Sequence, residues 1–442
     1  MYEKEEQKLT GFKDRLEQVA LPLEAADGAI MQGLERAKRE KLQSRAKRKR
    51  TLWSLAAAAL IILTLVTTIR VSPAFANAVA SIPGMEKFVE LIQNDKGLQG
   101  VFENEYYQPI GESQTIGNAT LTIDGVILDE SGMNIFYTIE SAVEMGEVAV
   151  NMPVLENEEG VPPGSISYNH PVIEDDSPKI YSDILGYTFV EPIKFENLEF
   201  TLGLEVTIDN NKFEFSTPFK VPENVTPSTT YNLNEEVEVE GQKFTIEKVT
   251  IHPLRVGVQV SFDSNNTKKI LRFEDMRLED EDGEVWGSII NGTTAFGKDE
   301  NGDKLYFLQS NYFEKPKNLY LRINKIQAVD QEEAFILIDT EKNLLLNSPK
   351  DGNLQLGNST KSRIEFTLNE YYTENYLFSL FSTVTDANGK DFSRIQESVS
   401  SPEGKLHWNI TLETTDYTNP LKMELVEYPN YINGDVKIEL KK

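Results

Sequence analysis

Side chains able to do covalent or metal chemistry are few and scattered in this 442-residue sequence. It has no cysteine and three histidines, His170, His252 and His407. Without thiols there is no disulfide, no cysteine nucleophile and no thiolate metal site. No histidine lies in the H-E-x-x-H pairing of a helix-borne zinc site, and neither G-x-S-x-G nor G-x-x-x-x-G-K-[ST] occurs. His252 stands in an alternating run just before Pro253 and reads as structural. Asp and Glu number 71 against 44 Lys and Arg, so acid pairs are expected from composition and none stands out as a glycosidase's two carboxylates. The turns Glu279–Glu284 and Asp299–Asp303 group hard oxygen ligands that suit calcium, but neither has EF-hand spacing, and acidic hairpin tips are common. The sequence points away from an enzyme and assigns no catalytic, cofactor or metal residue.

The elements that must carry function start at the membrane. The run Thr51–Ile69 has 19 uncharged residues and follows the basic string Lys47–Arg50. As a helix it reaches about 28 Å, close to the hydrocarbon thickness of a bilayer. Nine Lys or Arg and one acid, Glu40, lie between Arg36 and Arg50, whereas only Arg70 separates the run from Lys87. This bias predicts a single-pass protein of the cell membrane, with residues 1–50 cytoplasmic and the C-terminal body extracellular. Ala74-Phe75-Ala76 offers the small-x-small pattern of a signal-peptidase site. A cleaved signal peptide and a regulated cut after Ala76 are therefore alternatives to a retained anchor. The 50-residue leader and the length of the run favour the anchor.

Charge divides at the same place. Removing the tail's +4 and Arg70 from the whole-chain −27 leaves −32 on residues 71–442. That excess argues against direct binding to nucleic acid, anionic headgroups or anionic wall polymers. The simplest reading of it is an acidic, soluble exported body. Its 372 residues bury enough surface to fold without disulfides, which suits a bacterium lacking an outer membrane.

Within the body, Thr122–Leu128 and Thr245–Ile251 share the pattern T-I-acid-x-V-x-aliphatic at an offset of 123. The offset also superposes Ile135, Tyr137 and Ile139 on Val258, Val260 and Phe262, and Leu155–Gly160 on Leu278–Gly283, which identifies an internal repeat. A closing strand, Asn197–Leu202, meets Asn318–Ile323 after a two-residue slip; a fainter third copy runs through Ile364, Phe366, Leu368 and Gly389 to Leu421–Leu425. Alternation of apolar and polar residues marks strands with one wet face. Asp282-Gly283, Asn291-Gly292, Asn301-Gly302, Asn388-Gly389 and Asn433-Gly434 are turn signals.

The expected fold is mainly β: a single transmembrane helix followed by two or three tandem immunoglobulin-like β-sandwiches, with a short helical cytoplasmic tail. The expected division is 1–50 tail, 51–69 span, 70–104 juxtamembrane helix and linker, 105–222 first sandwich, 228–345 second, and 350–442 third sandwich or divergent β domain, with joints at Val221–Pro227 and Leu346–Gly352. Phe88, Leu91 and Ile92 form an apolar helical face that must bury against its own body, the bilayer surface or a partner. In the tail, Leu9, Phe12 and Leu16, then Ile30, Leu34 and Ala37, recur at helical spacing beside charged residues. They read as partner-docking faces, or as a basic helix lying on anionic lipid.

The pattern Ile30-Met31-Gln32-Gly33-Leu34-Glu35-Arg36-Ala37-Lys38, the single span, Val71-Ser72-Pro73-Ala74-Phe75-Ala76-Asn77-Ala78 and then Ile82-Pro83-Gly84 ahead of a β domain resembles Gram-positive membrane proteins of the domain-of-unknown-function 4179 family. The resemblance covers about residues 24–220, and the next sandwich looks like the immunoglobulin-like domain that often follows. It implies an anti-sigma factor or negative effector, with an extracytoplasmic-function sigma factor as cytoplasmic partner and an unknown extracellular ligand. The competing expectation is a cell-envelope interaction or structural protein made of stacked sandwiches.

Overall fold

The computed structural model describes residues 6–11, 13, 73–82, 84–169, 179–222, 225–289, 295–297, 303–369, 380–392, 394–400 and 405–441. The apolar run, most of the tail, His170 and the turns Asn291-Gly292 and Asn301-Gly302 lie outside them. Among the described residues no helix is long and apolar enough to cross a membrane. The chain divides into two units, Met1–Arg70 and Val71–Lys442. In the first, residues 6–11 and 13 are helical, and the Thr10 hydroxyl donates to the Glu6 carbonyl at 2.6 Å.

The second unit opens with a helical cap: α1 (Pro73–Ala80), a 3-10 turn (Met85–Phe88), α2 (Val89–Ile92) and α3 (Lys96–Glu103). Gly84 takes φ +82 at the entry to the turn, and the Asp95 carboxylate caps α3 by accepting from the Leu98 amide at 3.0 Å. Phe75, Val79, Met85, Phe88, Ile92, Val101 and Phe102 are buried with Ile127 and Phe136 of the first sandwich and Leu254 of the second. The expected linker is therefore a packed layer. Its apolar face closes on the protein itself, and only Leu91 of the three expected residues stays exposed.

Among the described residues three two-sheet sandwiches follow, their strand pairs antiparallel. The first comprises β1 (Gln108–Ile116), β2 (Ala119–Asp129), β3 (Gly132–Ser141), β4 (Val148–Glu156), β5 (Gly164–Ser167), β6 (Ile180–Phe189), β7 (Glu199–Ile208) and β8 (Asn211–Lys220). Its sheets run β1-β2-β3-β6-β5 and β4-β7-β8. The alternation read from the sequence is the burial pattern: Phe200, Leu202, Leu204, Val206 and Ile208 of β7 all face the core.

In chain order the next strands are β9 (Thr229–Val239), β10 (Gln242–Ile251), β11 (Arg255–Phe262), β12 (Lys268–Asp280), β13 (Val285–Trp286), β14 (Ala295–Gly297), β15 (Lys304–Gln309) and β16 (Leu319–Asp330). The remainder are β17 (Phe335–Asp339), β18 (Leu344–Asn347), β19 (Leu354–Leu356), β20 (Arg363–Leu368), β21 (Phe381–Thr385), β22 (Asp391–Phe392), β23 (Arg394–Ser400), β24 (Leu406–Leu412), β25 (Leu421–Leu425) and β26 (Tyr431–Glu439).

The repeat is visible in the ladders. The β2–β3 register shifts between Ile123 and Gly125, and the β10–β11 register shifts between Ile246 and Lys248, so the acid of the shared pattern, Asp124 or Glu247, is the bulged residue in each copy. The closing strands slip by four residues rather than two, because Leu155 pairs with Leu202 while Leu278 pairs with Leu321. The even difference keeps the same face inward. In the third copy, β20 takes the place of β3 and β11, and β25 that of β7 and β16.

The boundary between the second and third sandwiches differs from the expected 228–345 and 350–442. The second has sheets β14-β15-β11-β10-β9 and β13-β12-β16-β26; the third has β18-β17-β25-β21-β22 and β19-β20-β24-β23. In the first sandwich β7 pairs with β8, the strand after it. In the later two, the following strands trade places: β17, which follows β16, pairs with β25, while β26, which follows β25, pairs with β16. A 3-10 turn, Gln331–Glu333, turns the chain out of one sandwich and into the other. The expected joint at Leu346–Gly352 thus begins in an edge strand of the third sandwich. Asn433-Gly434 is likewise strand rather than turn; Gly434 lies in β26, where a Cβ would sit 3.0 Å from Val239 of β9.

Candidate functional site

The cap does not cover the outer face of the first sandwich completely. Between α2–α3, the outer ends of β3, β5 and β6, and the start of β11 lies a cleft of about 500 Å³. The cap contributes Glu90, Leu91, Asn94, Asp95 and Leu98. The first sandwich supplies Asn134, Ser167–Asn169, Asp183, Ile184, Gly186 and Thr188, and the second Leu254, Arg255, Ile289 and Gln309.

Each wall is fixed by local chemistry. Gly97 lets α3 sit on the second sandwich, since a Cβ there would lie 2.7 Å from the Ser310 amide. Lys96 pairs with Glu284 and donates to the Val285 carbonyl at 3.1 Å. On the opposite wall Asp183 accepts four bonds, from the Asn169 amide and side chain, the Tyr181 hydroxyl and the Ile184 amide. At the joint, Asp129 of the first sandwich accepts from the Leu254 amide of the second at 2.6 Å, while its other oxygen takes Ser131 and Gly132.

Arg255 is the floor's cation. It is 5% exposed, its Nη1 donates to Thr188, and its guanidinium lies 5.6 Å from the Phe307 ring. Burial lowers its affinity for the proton, and the Asp129 and Asp95 carboxylates oppose that shift. Burial also pushes the Asp95 carboxyl up, against the Leu98 and Gly97 amides and Arg255. Behind Arg255 sits His252, 4% exposed, whose backbone amide donates to the Arg255 carbonyl. Burial lowers its pKa; Asp129 and Glu130 pull it up, and Arg255 and Lys248 push it down.

Of the residues singled out in the sequence, Leu91 lines this cleft, whereas the candidate docking and cleavage residues do not. Leu9 is 70% exposed on its short helix, while Phe12, Leu16, Ile30, Leu34 and Ala37 lie outside the described residues. Ala74 and Ala76 fall in α1; Ala76 is exposed, and Phe75 between them is fully buried, edge-on to Phe102 at 6.1 Å. In the acidic turn Glu279–Glu284 two carboxylates are used on backbone and two on cations: Asp280 accepts from the Asp282 and Glu284 amides and Glu281 from those of Lys317 and Asn318, while Glu279 pairs with Arg277 and Glu284 with Lys96. Among the described residues no group of three His, Asp or Glu side chains is placed to hold a metal ion. The cleft escaped sequence reading because three distant segments build it from residue types that form no motif. Its one signal was Arg255, a lone cation heading an apolar strand.

The domain of unknown function DUF4179 matches this chain over residues 45–141, and the family of unknown function DUF5643 over residues 228–356. No curated protein matches. Among solved structures, "the conserved domain protein from Bacillus anthracis" is similar at 16% identity and a TM-score of 0.37, covering 55% of this chain and 84% of that one. The DUF4179 resemblance therefore holds over a shorter stretch than residues 24–220, running from the basic string through the apolar run and the cap to β3. The second sandwich, likened above to an immunoglobulin-like domain, falls mostly within the DUF5643 match.

Proposed function

We propose that this protein is a membrane-anchored regulator of a Gram-positive bacterium. In this reading Thr51–Ile69 spans the cell membrane, and the cytoplasmic tail holds an extracytoplasmic-function sigma factor through Leu9, Phe12, Leu16, Ile30, Leu34 and Ala37. Residues 70–442 stand outside and receive an envelope signal. One observation carries it: the cap that directly follows the apolar run is buried at the joint of two sandwiches, with Leu254 and Phe313 of the second packed against it. A change at that joint therefore bears on the chain where it leaves for the membrane. The DUF4179 match supports the same grouping, since it takes in apolar run, cap and first strands together.

The test is a pull-down from solubilised membranes with the full-length protein and with a form lacking residues 1–41. A sigma factor recovered only with the intact tail supports the regulator. Recovery of the same envelope partners by both forms, with no sigma factor, refutes it. The second reading, an envelope structural protein, draws support from the exchange of β17 and β26, which ties two sandwiches into one stiff body.

A further inference from the structure

We infer that the cleft under the cap binds a neutral, hydroxyl-rich ligand of one or two sugar rings. This rests on the reading of the outer body as a receiver of envelope signals. Its volume of about 500 Å³ lies in the range of small-molecule sites. The charged groups lining it are largely committed to the fold. Asp183 is saturated by four donors, Asp95 caps α3, and Arg255 donates to Thr188. The side chains of Glu90, Asn94 and Asn134, and the side-chain Oε1 of Gln309, have no hydrogen-bond partner among the described residues.

Charge and hydrogen-bond capacity then decide the ligand class. An anion would face Glu90, Asp95 and Asp183, while a cation would meet buried Arg255 with two of the three carboxylates already in use. What remains is mainly carboxamide, each presenting donors and an acceptor in one plane. A hydroxyl also donates and accepts at once, so neighbouring hydroxyls on a ring satisfy both functions together. Gly186 keeps the floor low, since a Cβ there would lie 2.7 Å from the Ser167 hydroxyl. Leu91, Ile184 and Leu254 offer apolar contact for the C–H faces of a ring.

The experiment is calorimetric titration of the full-length protein in lipid nanodiscs with glucose, N-acetylglucosamine, maltose, cellobiose and chitobiose, and with glutamate, lysine and inorganic phosphate as charged probes. We expect at least one saccharide to bind at a Kd of about 1 mM or tighter. The double variant N94A/N134A should weaken that binding about tenfold or more with an unchanged Tm, because neither carboxamide holds the fold together. No saccharide heat up to about 10 mM, tighter binding of a charged probe, or indifference to the double variant overturns the inference. Sigma-factor recovery is a separate readout: saccharide binding without it refutes the regulator alone, and recovery without saccharide binding refutes the ligand class alone.

Discussion

At the scale of single residues, two buried bases hold their protons less tightly than usual. His252 sits at the joint with its Nδ1 unpartnered among the described residues, and burial outweighs Asp129 and Glu130 in setting its direction. A histidine with a lowered folded pKa costs nothing while neutral in both states, and it loses stability as pH falls below the unfolded value of about 6.5. As pH falls below about 6.5 the folded protein should therefore lose stability through this residue, and H252Q should flatten that slope in thermal melts. An equal slope in the variant would assign the loss elsewhere. Lys304, at the start of β15, donates to the Leu271 carbonyl at 2.8 Å and is held down to about 8 by burial, with Lys269 adding to the shift and Glu427 opposing it. Below pH 8 it is charged in both states and the folded state bears the cost. K304M should raise stability at pH 7 by about 2 kcal/mol, a gain that shrinks as pH rises from 8 towards 10.5. Neither role was legible in the sequence. His252 reads as structural in the sequence, but its carboxylate neighbours stand more than 120 positions away.

At the scale of elements, the cap behaves as part of the core rather than as a tether. Phe88 is fully buried, edge-on to Phe136 at 5.3 Å, so F88A should cost about 3–5 kcal/mol and lower the Tm of the first sandwich. G97A should cost about 1–3 kcal/mol, because the new methyl meets the Ser310 backbone and forces α3 off the second sandwich. Hydrogen exchange would then show loss of protection in α3, and unchanged protection would mean that the contact is dispensable. The cap's apolar spacing was legible from Phe88 and Ile92, as were the strands of the internal repeat from their alternation. The surface that receives the cap was not, because the outer face of β3 and β6 mixes Phe136 and Ile184 with Asn134, Gly186 and Thr188. Alternation shows which residues share a face and leaves open what covers it.

At the scale of the whole molecule, the organising feature is the exchange of β17 and β26. The expected division put Phe335–Asp339 in the second sandwich and Tyr431–Glu439 in the third, because neighbouring strands usually pair as hairpins, as β7 and β8 do. Phe335–Asp339 and Tyr431–Glu439 are both amphipathic strands, and nothing in their composition says which sheet each one joins. Ending the chain at Asn430 removes Ile432, Ile438 and Leu440 from the core of the second sandwich. At about 1.5–3 kcal/mol for each buried side chain, that loss rivals the stability of an ordinary domain. The truncated protein should lose exchange protection in β16 and β12 while the third sandwich keeps its own, and a peptide of residues 431–441 added in trans should restore it; loss in both sandwiches would show that they unfold as one. The exchange also sets a timetable for synthesis. β16 precedes the strands of the third sandwich, Phe335 to Leu425, and its outer partner β26 follows them, so β16 cannot pair on that side until the intervening strands have been made. Until then β16 carries an open β edge, an unpaired row of backbone groups that invites pairing with another chain.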